Sequence, residues 1–186
     1  MSMQTPNPDG ETEHRFFHAD CYHLLKPNTE LAAEADGYSK FGRYYGPTIA
    51  AQPRHLLHPH FRRELDLELV RQSHFRHRAS RLSCFFAART PDDAARYARR
   101  LTDSRRPDTA LIYEVFARAF HEADMMQLDI AGPRVTEQFM AERYSAYWRG
   151  EMSSDFIAGA VRAPMIEVMI PLPVRVGEVV ATATVR

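Results

Sequence analysis

Residues 81–98 constrain the fold of this chain more than any other segment. Residues 84–88 form a short apolar run, which predicts a buried strand at 82–87, and a helix with a small alanine face follows at once. Thr90 is a good N-cap, proline suits the first helical position, and two aspartates complement the positive end of the helix. We therefore predict a buried strand that leads into a helix packed closely against a sheet.

The rest of the chain alternates strand and helix patterns. The polar residues 1–14 contain two prolines and one glycine and predict a flexible tail before a single domain over residues 15–186. Residues 61–73 fit either a strand or a charged helix, and we favour the helix. Other helices are predicted at 29–35 and 136–148, a short helix or turn at 122–128, an irregular aromatic loop at 37–60, and strands at 15–18, 110–117, 165–171 and 175–184.

Few strands alternating with helices indicate an α+β fold with a mixed or antiparallel sheet, rather than a doubly wound parallel one. No apolar run approaches the roughly 20 residues of a membrane span, and no signal-peptide pattern is visible. We expect a cytoplasmic protein, or a secreted effector. The formal net charge is +0, so no general attraction to nucleic acid or to anionic membranes is expected. A local basic patch is compatible with this net charge.

Several classes of site lack their signatures. There is no GxSxG, GxxxxGK[ST] or GxGxxG motif, which argues against a serine hydrolase, a P-loop protein and a Rossmann enzyme. Cys21 and Cys84 are far apart and suit reduced thiols. The histidines lack CxxC or HExxH context, so we predict no metal site. The clustered histidines, which we expect to be exposed or locally hydrogen-bonded, are His55, His58, His60, His74 and His77.

Three short motifs occur in an order that is typical of one known family. They are Phe17-His18-Ala19, then Phe85-Phe86-Ala87 with the helix of residues 92–98, and last the strand of residues 166–171 around Glu167. In this order the chain resembles the ADP-ribosyltransferase superfamily of the histidine–tyrosine–glutamate type over residues 15–182. It is also similar to bacterial families of unknown function that carry an Arg-x-Ser-x-Phe-Phe-Ala strand.

The resemblance implies an ADP-ribosyltransferase-like split sheet with flanking helices and NAD as the substrate. It also implies an acceptor that is a protein, a nucleic acid or a small molecule, and a role as a bacterial toxin, effector or defence protein. Glu167 and His18 are the implied catalytic residues. Ala19 stands where the family has glycine, and Phe85 stands where it has tyrosine. The implied cofactor-binding residues are His18, Ala19, Arg81, Ser83, Phe85 and Tyr97.

The chemistry of this reaction explains these residue types. Cleavage of the nicotinamide–ribose bond develops positive charge on the ribose, and a carboxylate such as Glu167 stabilises it. His18 suits a hydrogen bond to a ribose hydroxyl of the adenosine half, and Phe85 or Tyr97 suits stacking on nicotinamide. From the residues alone, Glu167 equally suits the wet face of an edge strand, and the aromatic residues suit a core.

Two other functions fit the same sequence. The first is a non-catalytic module on the same fold that binds an NAD-like or ADP-ribose-like ligand, or a protein, through the aromatic loop. The second is a nuclease or other toxin domain that uses histidines such as His55 and His77. The ordered set of His18, Phe85 and Glu167 favours the transferase over the nuclease.

Overall fold

The computed structural model describes residues 4–6, 12–101, 106–129, 136–154, 156–157, 160–161 and 163–185. They form a mixed α+β fold with antiparallel sheets, which confirms the predicted fold class. The helices of this part of the chain are α1 Lys40–Ala51, α2 Pro59–His74, α3 Pro91–Arg100 and α4 Glu137–Arg149. Its strands are β1 Gln4–Pro6, β2 Thr12–Asp20, β3 Thr29–Leu31, β4 Cys84–Ala87, β5 Thr109–Ala117, β6 His121–Asp124, β7 Phe156–Ile157, β8 Ala160–Val161, β9 Ile166–Pro171 and β10 Val174–Thr184.

The helices with clear end signals begin and end close to the predicted residues. Thr90 Oγ1 accepts a hydrogen bond from the Asp93 N–H over 3.1 Å and caps α3. Thr136 caps α4 in the same way, and Gly150, at φ 76°, ends that helix in the left-handed region. Helix α2 settles the contested segment in favour of the helix.

The predicted irregular loop at 37–60 is wrong, because α1 occupies residues 40–51. Ser39 caps this helix by accepting the N–H of Gly42 over 3.2 Å. Two glycines of this helix are points of close approach. A Cβ atom on Gly42 would lie 1.8 Å from the Leu82 carbonyl oxygen, and one on Gly46 would lie 2.7 Å from the Tyr38 ring.

Three further segments differ from the sequence predictions. The helix predicted at 29–35 is wrong: residues 29–31 form β3, which pairs antiparallel with β10. The short helix or turn predicted at 122–128 is confirmed only in its second half, as a 3-10 turn at Met125–Gln127, because strand β6 extends to Asp124. Part of the predicted tail is strand, since β1 pairs antiparallel with Thr12–His14 of β2. In each case pairing with a distant strand overrides the local preference.

The chain divides into two compact units. The sheet unit consists of Met1–Ala32, Phe85–Phe120 and Glu167–Arg186, and the helical unit of Ala33–Cys84 and His121–Ile166. A single domain over residues 15–186 stays a prediction. No helix among the described residues is long and apolar enough to cross a membrane.

The sheet unit is built on a five-stranded antiparallel sheet with the order β1-β2-β5-β10-β3. Strands β4 and β9 are neighbours in a second sheet. Alternation along each strand gives the large sheet two buried faces. One face packs in a cluster with β4 and β9, formed by Phe16, Ala87, Val115, Ala117, Val168, Ile170 and Val174. The other packs against α3 through Phe17, Ala88, Ala94, Ala95 and Ile112.

The helical unit is centred on α2 and α4. Tyr147 and Trp148 of α4 are completely buried. The indole Nε1 of Trp148 donates to the carbonyl oxygen of Leu67 over 3.0 Å, which satisfies the polar atom of the largest buried side chain. The buried Asp124 carboxylate accepts the backbone N–H groups of Ser153 and Met165, both over 2.8 Å. These bonds fix the segments on either side of β7 and β8.

Candidate functional site

His18 is attached to strand β4 by its imidazole ring. Its Nδ1 lies 2.7 Å from the carbonyl oxygen of Phe86. Because a carbonyl oxygen only accepts, Nδ1 carries the hydrogen, and neutral His18 keeps Nε2 as an acceptor. Burial lowers the pKa of His18, against the opposing effects of the Phe86 carbonyl and of Asp20. The neutral imidazole is therefore suited to accept a hydrogen bond from a hydroxyl group.

Phe85 lies against His18. The ring centroids are 4.5 Å apart with a tilt of 43°. Phe85 also packs against the core cluster that contains Phe16, Val168 and Ile170. Its ring is therefore engaged in the packing between the large sheet and the β4–β9 pair.

Glu167 and Phe86 share a face of the β4–β9 pair. Phe85 and Ala87 of β4 pack in the same cluster as Val168 and Ile170 of β9. Since side chains alternate along a strand, Phe86 and Glu167 both lie on the opposite face of these neighbouring strands. The Glu167 side chain is buried, with 4% of its surface exposed. An aromatic ring and a buried carboxylate thus occupy one face, next to the backbone carbonyl that holds His18.

Ala19 and Tyr97 lie on the other side of the large sheet. Both pack against the cluster of Phe17 and Ala94 that joins β2 to α3. His18 is on the opposite face of β2 from Ala19, because the two residues are adjacent in a strand. The structure therefore does not bring the Tyr97 ring to the face that carries His18 and Phe85.

Arg81 belongs to the interior of the helical unit. Its Nε donates to Glu64 Oε2 over 2.9 Å, and Nη1 donates to the Tyr147 hydroxyl. The guanidinium also lies over the rings of Phe41 and Tyr147, 5.4 and 5.3 Å from their centroids. With 4% of its surface exposed, Arg81 is a buried structural residue in this arrangement.

Ser83 serves the turn that leads into β4. Its hydroxyl donates to the Ser80 carbonyl oxygen over 3.0 Å, and its N–H bonds the same atom. Ser80 in turn caps this 3-10 turn by accepting the Leu82 N–H. These bonds order the entry to strand β4.

A cavity of about 550 Å³ lies elsewhere in the sheet unit, at the ends of β5, β9 and β10. Its lining includes Phe116, Arg118, Pro171 and Arg175, and none of the predicted site residues. Arg175 is already engaged there, 2.6 Å from the Glu13 carboxylate and stacked over the Phe116 ring. Among the described residues, no group of three His, Cys, Asp or Glu side chains is placed to hold a metal ion.

The fold and this arrangement define a small α+β protein with a candidate site on the β4–β9 pair. The chain belongs to the family of proteins of unknown function DUF2441, which matches residues 22–180. A comparison with curated proteins finds no match.

Sequence reasoning missed Phe86 as a site residue. The signal that was present is the alternation within β4, which separates Cys84 and Phe86 from Phe85 and Ala87. Which of these faces also carries Glu167 depends on the position of β9, about eighty residues further along the chain. Only the structure supplies that relationship.

Proposed function

We propose that this protein is an ADP-ribosyltransferase that cleaves NAD at the nicotinamide–ribose bond and passes ADP-ribose to an acceptor. The observation that carries the proposal is the shared face of Phe86 and Glu167 on the β4–β9 pair. The proposal includes the finer fold assignment, an ADP-ribosyltransferase-like split sheet with flanking helices. In this assignment Phe86, rather than Phe85, offers its ring to nicotinamide.

Each of these groups has a chemical task in the reaction. The bond from ribose C1′ to the nicotinamide nitrogen breaks, and its electron pair leaves with neutral nicotinamide. The Glu167 carboxylate stabilises the positive charge that develops on the ribose, and burial strengthens that interaction. A nucleophilic atom of the acceptor then bonds to C1′ and loses its proton.

His18 contributes binding rather than proton transfer. With Nδ1 donating to the Phe86 carbonyl, its Nε2 is able to accept a hydrogen bond from a ribose hydroxyl in the adenosine half of NAD. The same bond joins β2, which carries His18, to β4, which carries Phe86. This adenosine ribose is distinct from the nicotinamide ribose at Glu167, because His18 lies on the Phe85 side of the β4–β9 pair and Glu167 on the other side.

The test is calorimetric titration with NAD, together with measurement of nicotinamide release on the same sample. The Glu167→Gln variant is expected to bind NAD and to lose about 10²- to 10³-fold in release rate, by analogy with removal of one charge-stabilising group. Glu30→Gln is the matched control, because Glu30 is an exposed carboxylate on β3. Full release by Glu167→Gln, or no binding of NAD to the wild-type protein, contradicts the proposal.

A second candidate function is a non-catalytic module that binds an NAD-like ligand. The placement of Tyr97 with Phe17 and Ala94 favours it, because this placement takes one of the two predicted nicotinamide-stacking rings away from His18. Binding of NAD or ADP-ribose without any nicotinamide release supports this function over the transferase.

A further inference from the structure

One stretch of the helical unit combines positive charge with aromatic rings. Between Asp36 and Glu64 the sequence contains no aspartate or glutamate. The stretch forms α1 and the start of α2, which lie in the same compact unit. Its basic residues are Lys40, Arg43, Arg54, Arg62 and Arg63.

An aromatic ring stands at the surface of this stretch. Tyr44 of α1 is 66% exposed. Its ring stacks on that of Phe61 in α2, with centroids 5.5 Å apart and planes at 30°, and meets Tyr45 edge-on at 4.9 Å. Tyr45 packs in turn on Phe41 and Phe61, at 4.6 and 5.1 Å. The buried side of the Tyr44 ring is thus supported, while the rest of the ring is open to solvent.

Ion pairs neutralise only some of these basic residues. Exposed Arg43 pairs with Glu34 and Asp36, and Arg54 and Arg63 also have carboxylate partners. Lys40 and Arg62 are exposed and form no ion pair with any residue that the structure describes. Lys40 lies one turn before Tyr44 in α1, and Arg62 follows Phe61 in α2. The two unneutralised cations therefore lie close in the chain to the two stacked rings.

We propose that Lys40, Tyr44, Phe61 and Arg62, here named the Tyr44 face, bind single-stranded nucleic acid. An unpaired base stacks on the open side of Tyr44, and the phosphates beside it bind Lys40 and Arg62. A flat exposed ring with flanking cations suits unpaired bases, because every base has a π-face and every link between nucleotides carries a negative charge. A duplex keeps its base faces stacked inside, so it offers phosphates and base edges but no open face for the Tyr44 ring. This surface lies in the helical unit, and its function does not depend on NAD.

The experiment measures binding of a short fluorescein-labelled oligothymidylate by fluorescence anisotropy, over a series of salt concentrations. The Tyr44→Ala variant is expected to weaken binding roughly tenfold, within the range measured for base–aromatic stacking. Tyr44→Phe retains the ring and is expected to bind like the wild type. Tyr22→Ala is the matched control, because Tyr22 is an exposed tyrosine of the sheet unit.

The phosphate contacts have their own measurement. For single strands the logarithm of the binding constant falls with the logarithm of salt concentration, by about 0.7 for each neutralised phosphate. Lys40→Gln/Arg62→Gln is therefore expected to lower that slope by about 1.4, whereas Lys26→Gln, which removes an exposed lysine elsewhere, leaves it unchanged. Circular dichroism melting checks that each variant is folded.

The results discriminate clearly. Loss of affinity in Tyr44→Ala with rescue by Tyr44→Phe, and tighter binding of the single strand than of the matched duplex, support the Tyr44 face. No binding of the oligonucleotide by the wild-type protein, or equal binding by Tyr44→Ala, overturns the proposal. Neither result bears on nicotinamide release, so the test of nucleic-acid binding is independent of the test of the NAD reaction.

Discussion

Arg81 and Glu64 form an ion pair that is almost completely removed from water, with Nε and Oε2 2.9 Å apart and side-chain exposures of 5% and 1%. The Tyr147 hydroxyl accepts a further hydrogen bond from the same guanidinium, and Arg63 binds the other oxygen of Glu64. Two charges in so dry an environment are tolerated only because each has several partners. This network holds the turn before β4 against α2 and α4.

Arg81→Ala is expected to lower the free energy of unfolding by about 3–5 kcal/mol, because it leaves the Glu64 carboxylate buried and unpaired. Urea denaturation measures this change. Arg43→Ala, which breaks the exposed pairs with Glu34 and Asp36, is the control and is expected to cost less than about 1 kcal/mol. The double variant Glu64→Leu/Arg81→Met removes both charges and is expected to be more stable than Arg81→Ala. Equal losses for Arg81→Ala and Arg43→Ala would contradict the structural role.

Thr90 offers a smaller and more local test. Its hydroxyl accepts the Asp93 N–H and donates to the Asp93 carboxylate over 2.7 Å, so Thr90→Ala removes two hydrogen bonds at the start of α3. We expect a loss of about 1 kcal/mol in thermal or urea denaturation. Thr90→Ser keeps the hydroxyl and is expected to stay close to the wild type. A similar loss in both variants would show that the cap is not the cause.

The sequence predicted best where local chemistry decides the structure. Helix α3 begins at its predicted cap, and α4 begins within one residue of its predicted start and ends at the predicted glycine. Strand β5 coincides with its apolar run to within one residue. Gly42 and Gly46 show the opposite case. Glycines are typical of loops, but these two lie in a helix that closely approaches Leu82 and Tyr38. A sequence pattern does not reveal such contacts.

The candidate site was only partly predictable for the same reason. His18 and Phe85 lie in strands of two different sheets, β2 and β4, whose apolar patterns are clear, and the structure brings their rings together. The role of Arg81 was not predictable, because its partner Glu64 lies on a separate helix and the sequence does not show that the two residues meet. The choice between Phe85 and Phe86 depends on strand pairing with β9, and that relationship is non-local.

His121 is expected to make stability depend on pH. Burial, together with the charges of Arg78 and His77, lowers the pKa of His121 to about 4. In the unfolded chain the imidazole binds a proton near its ordinary pKa of about 6.5, so between these values the unfolded state carries more protons than the folded state. The free energy of unfolding therefore falls as pH drops through this window, and the dependence due to His121 ends below the lower pKa.

Urea denaturation at several pH values between 4 and 6.5 measures this effect. His121→Asn is expected to flatten the pH dependence, whatever its effect on stability at neutral pH. His74→Asn, which changes an exposed histidine at the end of α2, is expected to keep the slope of the wild type. Parallel curves for the wild type and His121→Asn would show that another group is responsible.

Variants of the two neighbouring phenylalanines of β4 distinguish a role in NAD binding from a role in core packing. If nicotinamide stacks on Phe86, Phe86→Leu is expected to raise the dissociation constant for NAD about two- to tenfold, since an aromatic stacking contact contributes roughly 0.5–1.5 kcal/mol beyond apolar burial. Phe85→Leu shrinks a ring of the core cluster and is expected to reduce stability more than NAD affinity. Calorimetric titration with NAD and urea denaturation of both variants measure the two quantities. A larger loss of NAD affinity in Phe85→Leu than in Phe86→Leu would return the stacking role to Phe85 and place the nicotinamide on the face of His18, away from Glu167.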